Sequence, residues 1–90
     1  YGAGEMGELM YLVLRDMGVT QVDFFDIKGG RSFLGTTVRD LESIQPDEYV
    51  KVMVAFSSDI TGKRADLRSI GVDDSKIITF LRASEAVEVI

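Results

Sequence analysis

The sequence opens with Tyr1-Gly2-Ala3-Gly4-Glu5-Met6-Gly7, and the expected fold follows from this segment. Its glycines follow the spacing G-x-G-x-x-G. In this pattern the first glycine permits a tight turn into a helix, and the second lets a pyrophosphate approach the backbone. The third glycine allows close packing between the helix and a neighbouring strand. The pattern predicts a phosphate-binding turn whose candidate ligand-binding residues are Gly2, Ala3, Gly4, Glu5, Met6 and Gly7.

A helix is predicted directly after the turn, over residues 5–17. Its apolar residues recur at spacings of three and four, the period of one helix face, and they are Met6, Leu9, Met10, Val13 and Met17. Gly18 follows as a candidate C-cap. Free N–H groups and the positive end of the helix dipole at the N-terminus favour a phosphate there.

Asp26 is the candidate ribose ligand. Residues 19–26 are rich in β-branched and aromatic side chains and predict a strand that ends at Asp26, 19 residues after Gly7. An acidic residue roughly 20 residues beyond such a turn accepts hydrogen bonds from ribose hydroxyls. The plainer alternatives are that the glycines only make a tight turn and that Asp26 is an ordinary residue at a strand end.

Two basic residues, Lys28 and Arg31, follow Asp26 closely. They are candidates to meet a phosphate, including a 2′-phosphate, or else they are solvated loop charges. The Asp26 carboxylate argues mildly against a 2′-phosphate, because two negative groups would then face each other.

The remaining segments complete an alternation of helices and strands. In order they predict a loop over 27–35, a short extended piece at 36–38, a short helix at 39–44 ended by Pro46, a strand at 49–56, a helix at 60–70, a strand at 76–81 and an ambiguous helix or strand at 82–90. Such an alternation is typical of an α/β fold with a parallel sheet, which we expect to form one domain over 1–90.

A second group of candidate site residues follows the most apolar strand. Ligands of open α/β sheets bind at the carboxyl ends of the strands. Phe56 is therefore a candidate to pack against a base, and Ser57 and Ser58 are candidate ligand contacts. The alternatives are a core role for Phe56, and helix capping by the two serines or Asp59.

The glycine turn normally follows a strand, yet only Tyr1 precedes Gly2. The expected sheet therefore lacks its first strand. Three explanations stay open: the chain is a fragment of a longer protein, residues 87–90 fill the gap, or a partner chain supplies the strand and makes a homodimer. An unfilled gap would be costly, since buried backbone groups would lack partners.

The composition excludes several kinds of catalytic and metal site. The chain has 90 residues, a net charge of −5, no His and no Cys. These counts exclude disulfides, a thiol nucleophile, a Ser-His-Asp triad and His or Cys metal ligands within the chain, so no metal is expected. The negative charge gives no attraction for nucleic acid. No catalytic constellation is visible, which leaves open whether the chain acts as an enzyme. Without an apolar run of ~18 residues or a signal peptide, we expect no membrane contact and a cytoplasmic location.

The pattern as a whole resembles small Rossmann-like nucleotide-binding modules. The resemblance is carried by the glycine turn, Phe24-Phe25-Asp26, Gly35 with Val38, and Val54-Ala55-Phe56-Ser57. It is similar both to the modules of polysaccharide-biosynthesis enzymes, which act on nucleotide-sugars, and to the NAD(H)-binding domain of Rex-like redox-sensing repressors. The resemblance implies a three-layer parallel sheet with helices on both faces, here with its first strand truncated.

The resemblance also implies a function. NAD(H) or a nucleotide-sugar would be held by Gly2, Gly4 and Gly7, with its ribose on Asp26. The chain would then be a binding module attached to another domain of a sugar-modifying enzyme. The alternatives are the sensing domain of a repressor and a structural or dimerisation domain without a ligand. The related sugar acetyltransferases carry a His in the glycine turn, and its replacement by Glu5 and Met6 weakens that interpretation.

Overall fold

A computed structural model describes residues 1–79, which form a mixed α/β structure with short parallel sheets. The helices are α1 (Glu5–Asp16) and α2 (Ile60–Ser69). The strands are β1 (Phe25–Asp26), β2 (Ser32–Phe33), β3 (Thr36–Thr37), β4 (Arg39–Asp40), β5 (Val52–Val54) and β6 (Ile77–Thr79). Short 3-10 turns cover Leu41–Ser43, Pro46–Glu48 and Asp74–Lys76. The prediction for 82–90 lies outside the described residues, as do the last residues of the strand predicted at 76–81.

The chain divides into two compact units, one formed by Tyr1–Ile44 and the other beginning at Gln45. In the first unit, α1 confirms the predicted helix to within one residue. It ends because Gly18 adopts a φ of +87°, a conformation that favours glycine. The Val19 amide then donates to the Leu14 carbonyl at 2.9 Å and closes the last turn.

The helix predicted over 39–44 is wrong in its first half. Arg39 and Asp40 form β4, which pairs in parallel with β1, and a 3-10 turn follows at Leu41–Ser43. The Arg39 amide donates to the Phe24 carbonyl at 2.9 Å. Pairing with β1 thus satisfies backbone groups that a local helix would have satisfied by itself.

The loop predicted over 27–35 contains a strand, because β2 and β3 form an antiparallel hairpin. The two residues between the strands, Leu34 and Gly35, have φ values of +49° and +82°. Positive φ at both central positions is the requirement of a two-residue type I′ turn. Leucine is uncommon in that conformation, so only Gly35 signalled the turn in the sequence.

The core of the first unit holds the glycine turn in place. Ala3, Phe24 and Val38 are buried together. The Phe24 ring lies 4.9 Å from the Phe33 ring in an edge-to-face contact and 5.7 Å from the Tyr11 ring. These ring contacts join α1, β2 and the residue before β1, so the turn is seated on packed side chains.

In the second unit, β5 and β6 pair in parallel, and α2 lies between them in the chain. Val54 and Leu67 are fully buried. The predicted helix at 60–70 is confirmed to within one residue, whereas the strand predicted at 49–56 covers only Val52–Val54. Pro46 starts a 3-10 turn, where its missing N–H costs nothing.

Within residues 1–79, neither helix is long and apolar enough to cross a bilayer.

Candidate functional site

The glycine turn is pinned to the end of β1. Gly2 has a φ of +120°, a conformation that a residue with a Cβ rarely adopts. Its amide donates to the Phe25 carbonyl at 2.8 Å. The Phe24 carbonyl points the opposite way, toward the Arg39 amide of β4. Successive carbonyl groups of a β-strand point to opposite sides. Gly2 therefore lies along one edge of β1, and strand β4 lies along the other.

Gly7 and Gly4 have different roles in the turn. A Cβ at Gly7 would come within 2.2 Å of the Gly2 carbonyl oxygen, so only glycine fits where α1 passes the turn. A Cβ at Gly4 would meet no atom of residues 1–79 within 4 Å. This difference matches the pattern's logic, in which one glycine serves packing and another leaves space beside the backbone.

The N-terminus of α1 has amide donors to offer. Gly4 occupies the N-cap position, and no side chain among the described residues caps the helix there. The first turn of an α-helix has N–H groups without intrahelical partners. The Glu5 side chain is exposed and Met6 is half-buried. Glu5 and Glu8 add negative charge that competes with an anion, though exposed charges are strongly screened by salt.

The Asp26 side chain lies against the glycine turn and is hydrogen-bonded to it. Its Oδ2 atom accepts a hydrogen bond from the Ala3 amide at 3.1 Å, and its Oδ1 atom accepts one from the Ile27 amide at 2.8 Å. Partial burial raises the pKa of this carboxyl, but the Ala3 and Ile27 amides and the Arg31 guanidinium outweigh that effect, and the pKa lies below its ordinary value. Asp26 is therefore ionised at neutral pH, and both of its carboxylate oxygens act only as hydrogen-bond acceptors.

Arg31 makes three hydrogen bonds within the first unit. Its Nη2 atom donates to the Asp26 Oδ2 atom at 3.0 Å and to the Ala3 carbonyl at 2.8 Å. Its Nη1 atom donates to the Lys28 carbonyl at 3.2 Å. One planar guanidinium thus joins the glycine turn, the end of β1 and the loop after it, while the arginine side chain stays 49% exposed.

Lys28 is exposed, and its backbone carbonyl is part of this arrangement. The next residue, Gly29, lies tightly against β4. Its amide donates to Asp40 Oδ1 at 2.7 Å, and a Cβ at Gly29 would come within 2.6 Å of backbone atoms of Val38, Arg39 and Asp40. The loop that carries Lys28 and Arg31 is therefore bonded to β4 through Gly29 and to the glycine turn through Arg31.

The second group of predicted site residues belongs to the other unit. Ser57 and Ser58 are exposed after β5, and Phe56 is half-buried with the Lys63 ammonium 4.3 Å from its ring centre. The predicted capping of α2 by a side chain is wrong. Asp59 occupies the N-cap position with a φ of +53°, and its side chain makes no cap hydrogen bond.

The structure thus brings Gly2, Ala3, Gly7 and Asp26 together within one unit. The residue that sequence reasoning left undecided is Arg31. An Asp followed five residues later by an Arg gives no local signal for an ion pair, because the loop between them can take many paths. Within residues 1–79, no three acidic side chains are grouped as a metal would require. No family model matches the chain, and neither a curated protein nor a solved structure was found to resemble it.

Proposed function

We propose that this chain is a Rossmann-like module that binds a nucleotide-containing ligand, either NAD(H) or a nucleotide-sugar. The observation that carries the proposal is the hydrogen bond of 3.1 Å from the Ala3 amide to Asp26. It links the middle of the G-x-G-x-x-G turn to the acidic end of the next strand. These are the two groups that hold the pyrophosphate and the ribose in dinucleotide-binding folds.

The pyrophosphate would lie at the N-terminus of α1. No side chain of the described part of the chain caps the first turn, so its N–H groups can act as donors, and the space that these residues leave beside Gly4 permits close approach. The ribose would lie against Asp26, whose ionised carboxylate is a strong hydrogen-bond acceptor. The three-layer parallel sheet with helices on both faces is also part of this proposal, and its support is that β1 and β4 pair in parallel within the first unit and β5 and β6 do so within the second.

The chain's own residues would bind and orient the ligand. Any hydride or group transfer would be the chemistry of the ligand itself or of an attached domain, with this module supplying position and electrostatics. Such a module would belong to a sugar-modifying enzyme, and the alternative is the sensing domain of a redox-responsive repressor.

A calorimetric titration tests the proposal. The protein is titrated with NAD, NADH, NADP and UDP-glucose, and we expect saturable binding of at least one of them. Replacing Asp26 with Asn should weaken that binding on the order of tenfold, the cost of losing a charge-assisted acceptor.

The matched control is Asp23→Asn. Asp23 is also an aspartate paired with an arginine in the same unit, with Arg39 at 3.8 Å. We expect this variant to bind as the unchanged protein does. Absence of binding for all four compounds, or equal losses in the Asp26 and Asp23 variants, would contradict the proposal.

A further inference from the structure

We propose that Arg31 is a positioning residue of the nucleotide site, which presets Asp26 so that only its Oδ1 atom remains available to a ribose hydroxyl. This inference rests on the proposed function. It adds a residue that the glycine-turn pattern does not include, and it adds a specific consequence for how the ribose is recognised.

The hydrogen bonds of the carboxylate carry the inference. An ionised carboxylate has two acceptor positions on each oxygen. The Asp26 Oδ2 atom accepts from both the Ala3 amide and Arg31 Nη2, so both of its positions are used. The Oδ1 atom accepts from the Ile27 amide, which leaves it one position among the contacts of the described residues.

The Arg31 guanidinium holds the Asp26 carboxylate in this orientation. Both hydrogens of Arg31 Nη2 are used, one on Asp26 and one on the Ala3 carbonyl, while Nη1 reaches the Lys28 carbonyl. A planar fork held at three acceptors has little freedom to rotate. Asp26 is therefore held from both sides, by backbone amides and by Arg31, before any ligand arrives.

A single free acceptor position has a measurable consequence. A ribose presents two neighbouring hydroxyls, but this carboxylate would accept from one of them. Removing that hydroxyl from a ligand should cost affinity, whereas removing the other should cost much less. Without Arg31, the carboxylate could turn and offer Oδ2 as well, and the difference between the two hydroxyls should shrink.

The experiment uses ADP and UDP together with their 2′-deoxy and 3′-deoxy forms as probes. For the unchanged protein we expect one deoxy form to bind on the order of tenfold more weakly than the other. In Arg31→Ala we expect this ratio to fall toward one, with weaker binding of the parent nucleotide. Arg31→Lys keeps the charge but not the fork, so it should regain part of the affinity without the discrimination.

The matched control is Arg39→Ala. Arg39 is a half-exposed arginine paired with an aspartate in the same unit, and it has no contact with the turn among those described. It should keep the unchanged protein's ratio. Discrimination that survives in Arg31→Ala, or that is lost equally in Arg39→Ala, would overturn the role of Arg31 while leaving nucleotide binding intact.

Two further outcomes are decisive. If Arg31→Ala does not fold, as judged by circular dichroism, Arg31→Lys carries the test, and unchanged discrimination in that variant overturns the inference. If the unchanged protein binds neither ADP nor UDP nor any dinucleotide, the proposed function and this inference both fall.

Discussion

The carbonyl oxygen of Gly2 lies 2.2 Å from the position that a Cβ at Gly7 would occupy. Helix α1 therefore passes the turn at a distance that only glycine permits. Because the obstructing atom belongs to the backbone, it cannot swing aside as the end of a flexible side chain would. The spacing of the first and third glycines is thus a packing requirement of this unit, whatever ligand it takes.

Replacing Gly7 with Ala should destabilise the protein. The added methyl group must push the turn away from α1, and overpacking of this kind typically costs about 1–3 kcal/mol. Urea denaturation followed by circular dichroism would measure the loss in the free energy of unfolding. An unchanged midpoint would show that the turn relaxes freely.

Replacing Gly4 with Ala should change the stability little and should weaken nucleotide binding. Among the described residues the new Cβ meets no atom within 4 Å, and the backbone φ of −138° suits alanine. We expect a change in unfolding free energy of at most about 1 kcal/mol, since alanine is a poorer N-cap than glycine but restricts the unfolded chain. Nucleotide affinity should fall, because the methyl group occupies the space beside the α1 N-terminus. Calorimetry would measure this, and undiminished affinity would place the phosphate elsewhere.

The contribution of Asp26 to stability should depend on pH. The folded protein holds the pKa of Asp26 below its ordinary value, so the stabilisation is fully present above the unfolded-state pKa of 3.8 and is lost as the pH falls through the folded-state pKa. The difference in unfolding free energy between the unchanged protein and Asp26→Asn should therefore be larger at pH 7 than at pH 3. Urea denaturation at the two pH values measures it. A constant difference would mean that the carboxylate charge contributes nothing.

Gly29 should be as sensitive as Gly7. A Cβ there would lie 2.6 Å from backbone atoms of β4, and the Gly29 amide also donates to Asp40. Gly29→Ala should cost about 1–3 kcal/mol of unfolding free energy by thermal or urea denaturation. Lys28→Ala, one residue earlier and exposed, serves as the control and should change stability by less than about 0.5 kcal/mol. Equal effects of the two changes would contradict the close approach of Gly29 to β4.

In the second unit, Leu67→Ala should be strongly destabilising. Leu67 is fully buried on α2, and removal of a buried leucine side chain typically costs about 2–5 kcal/mol. Val50 is 83% exposed, so Val50→Ala should cost less than about 0.5 kcal/mol. Urea denaturation of both variants makes the comparison. A small effect at Leu67 would show that α2 does not pack as described.

Local patterns predicted the parts of the fold in which neighbours along the chain act on one another. The apolar period and Gly18 located α1, and the polar cluster before Ile60 with Gly71 after it located α2, each to within one residue. Helices depend on contacts three and four residues apart, so their signals are contained in the segment itself.

The strands depended on distant partners and were predicted less well. The sequence predicts a helix at Arg39 and Asp40, yet these residues pair with Phe25 and Asp26, which lie 14 residues earlier in the chain. The sequence predicts a loop where Leu34 and Gly35 form a hairpin turn, because leucine rarely adopts a positive φ and so does not indicate one. A strand of two residues is too short to show an alternation of apolar and polar side chains. Its partner lies too far away in the chain to be identified from the neighbouring residues.

The glycine spacing, the acidic residue that follows and the absence of His and Cys can be read directly from the sequence, and they lead to the class of ligand that we propose. The contacts among these residues depend on the tertiary structure. It brings Ala3 and Asp26, 23 positions apart, within one hydrogen bond of each other. It also places the Arg31 guanidinium where it donates to both residues. These contacts are not visible in the sequence because one guanidinium bonds acceptors from three separate segments, which adjoin one another where β1 packs against the turn.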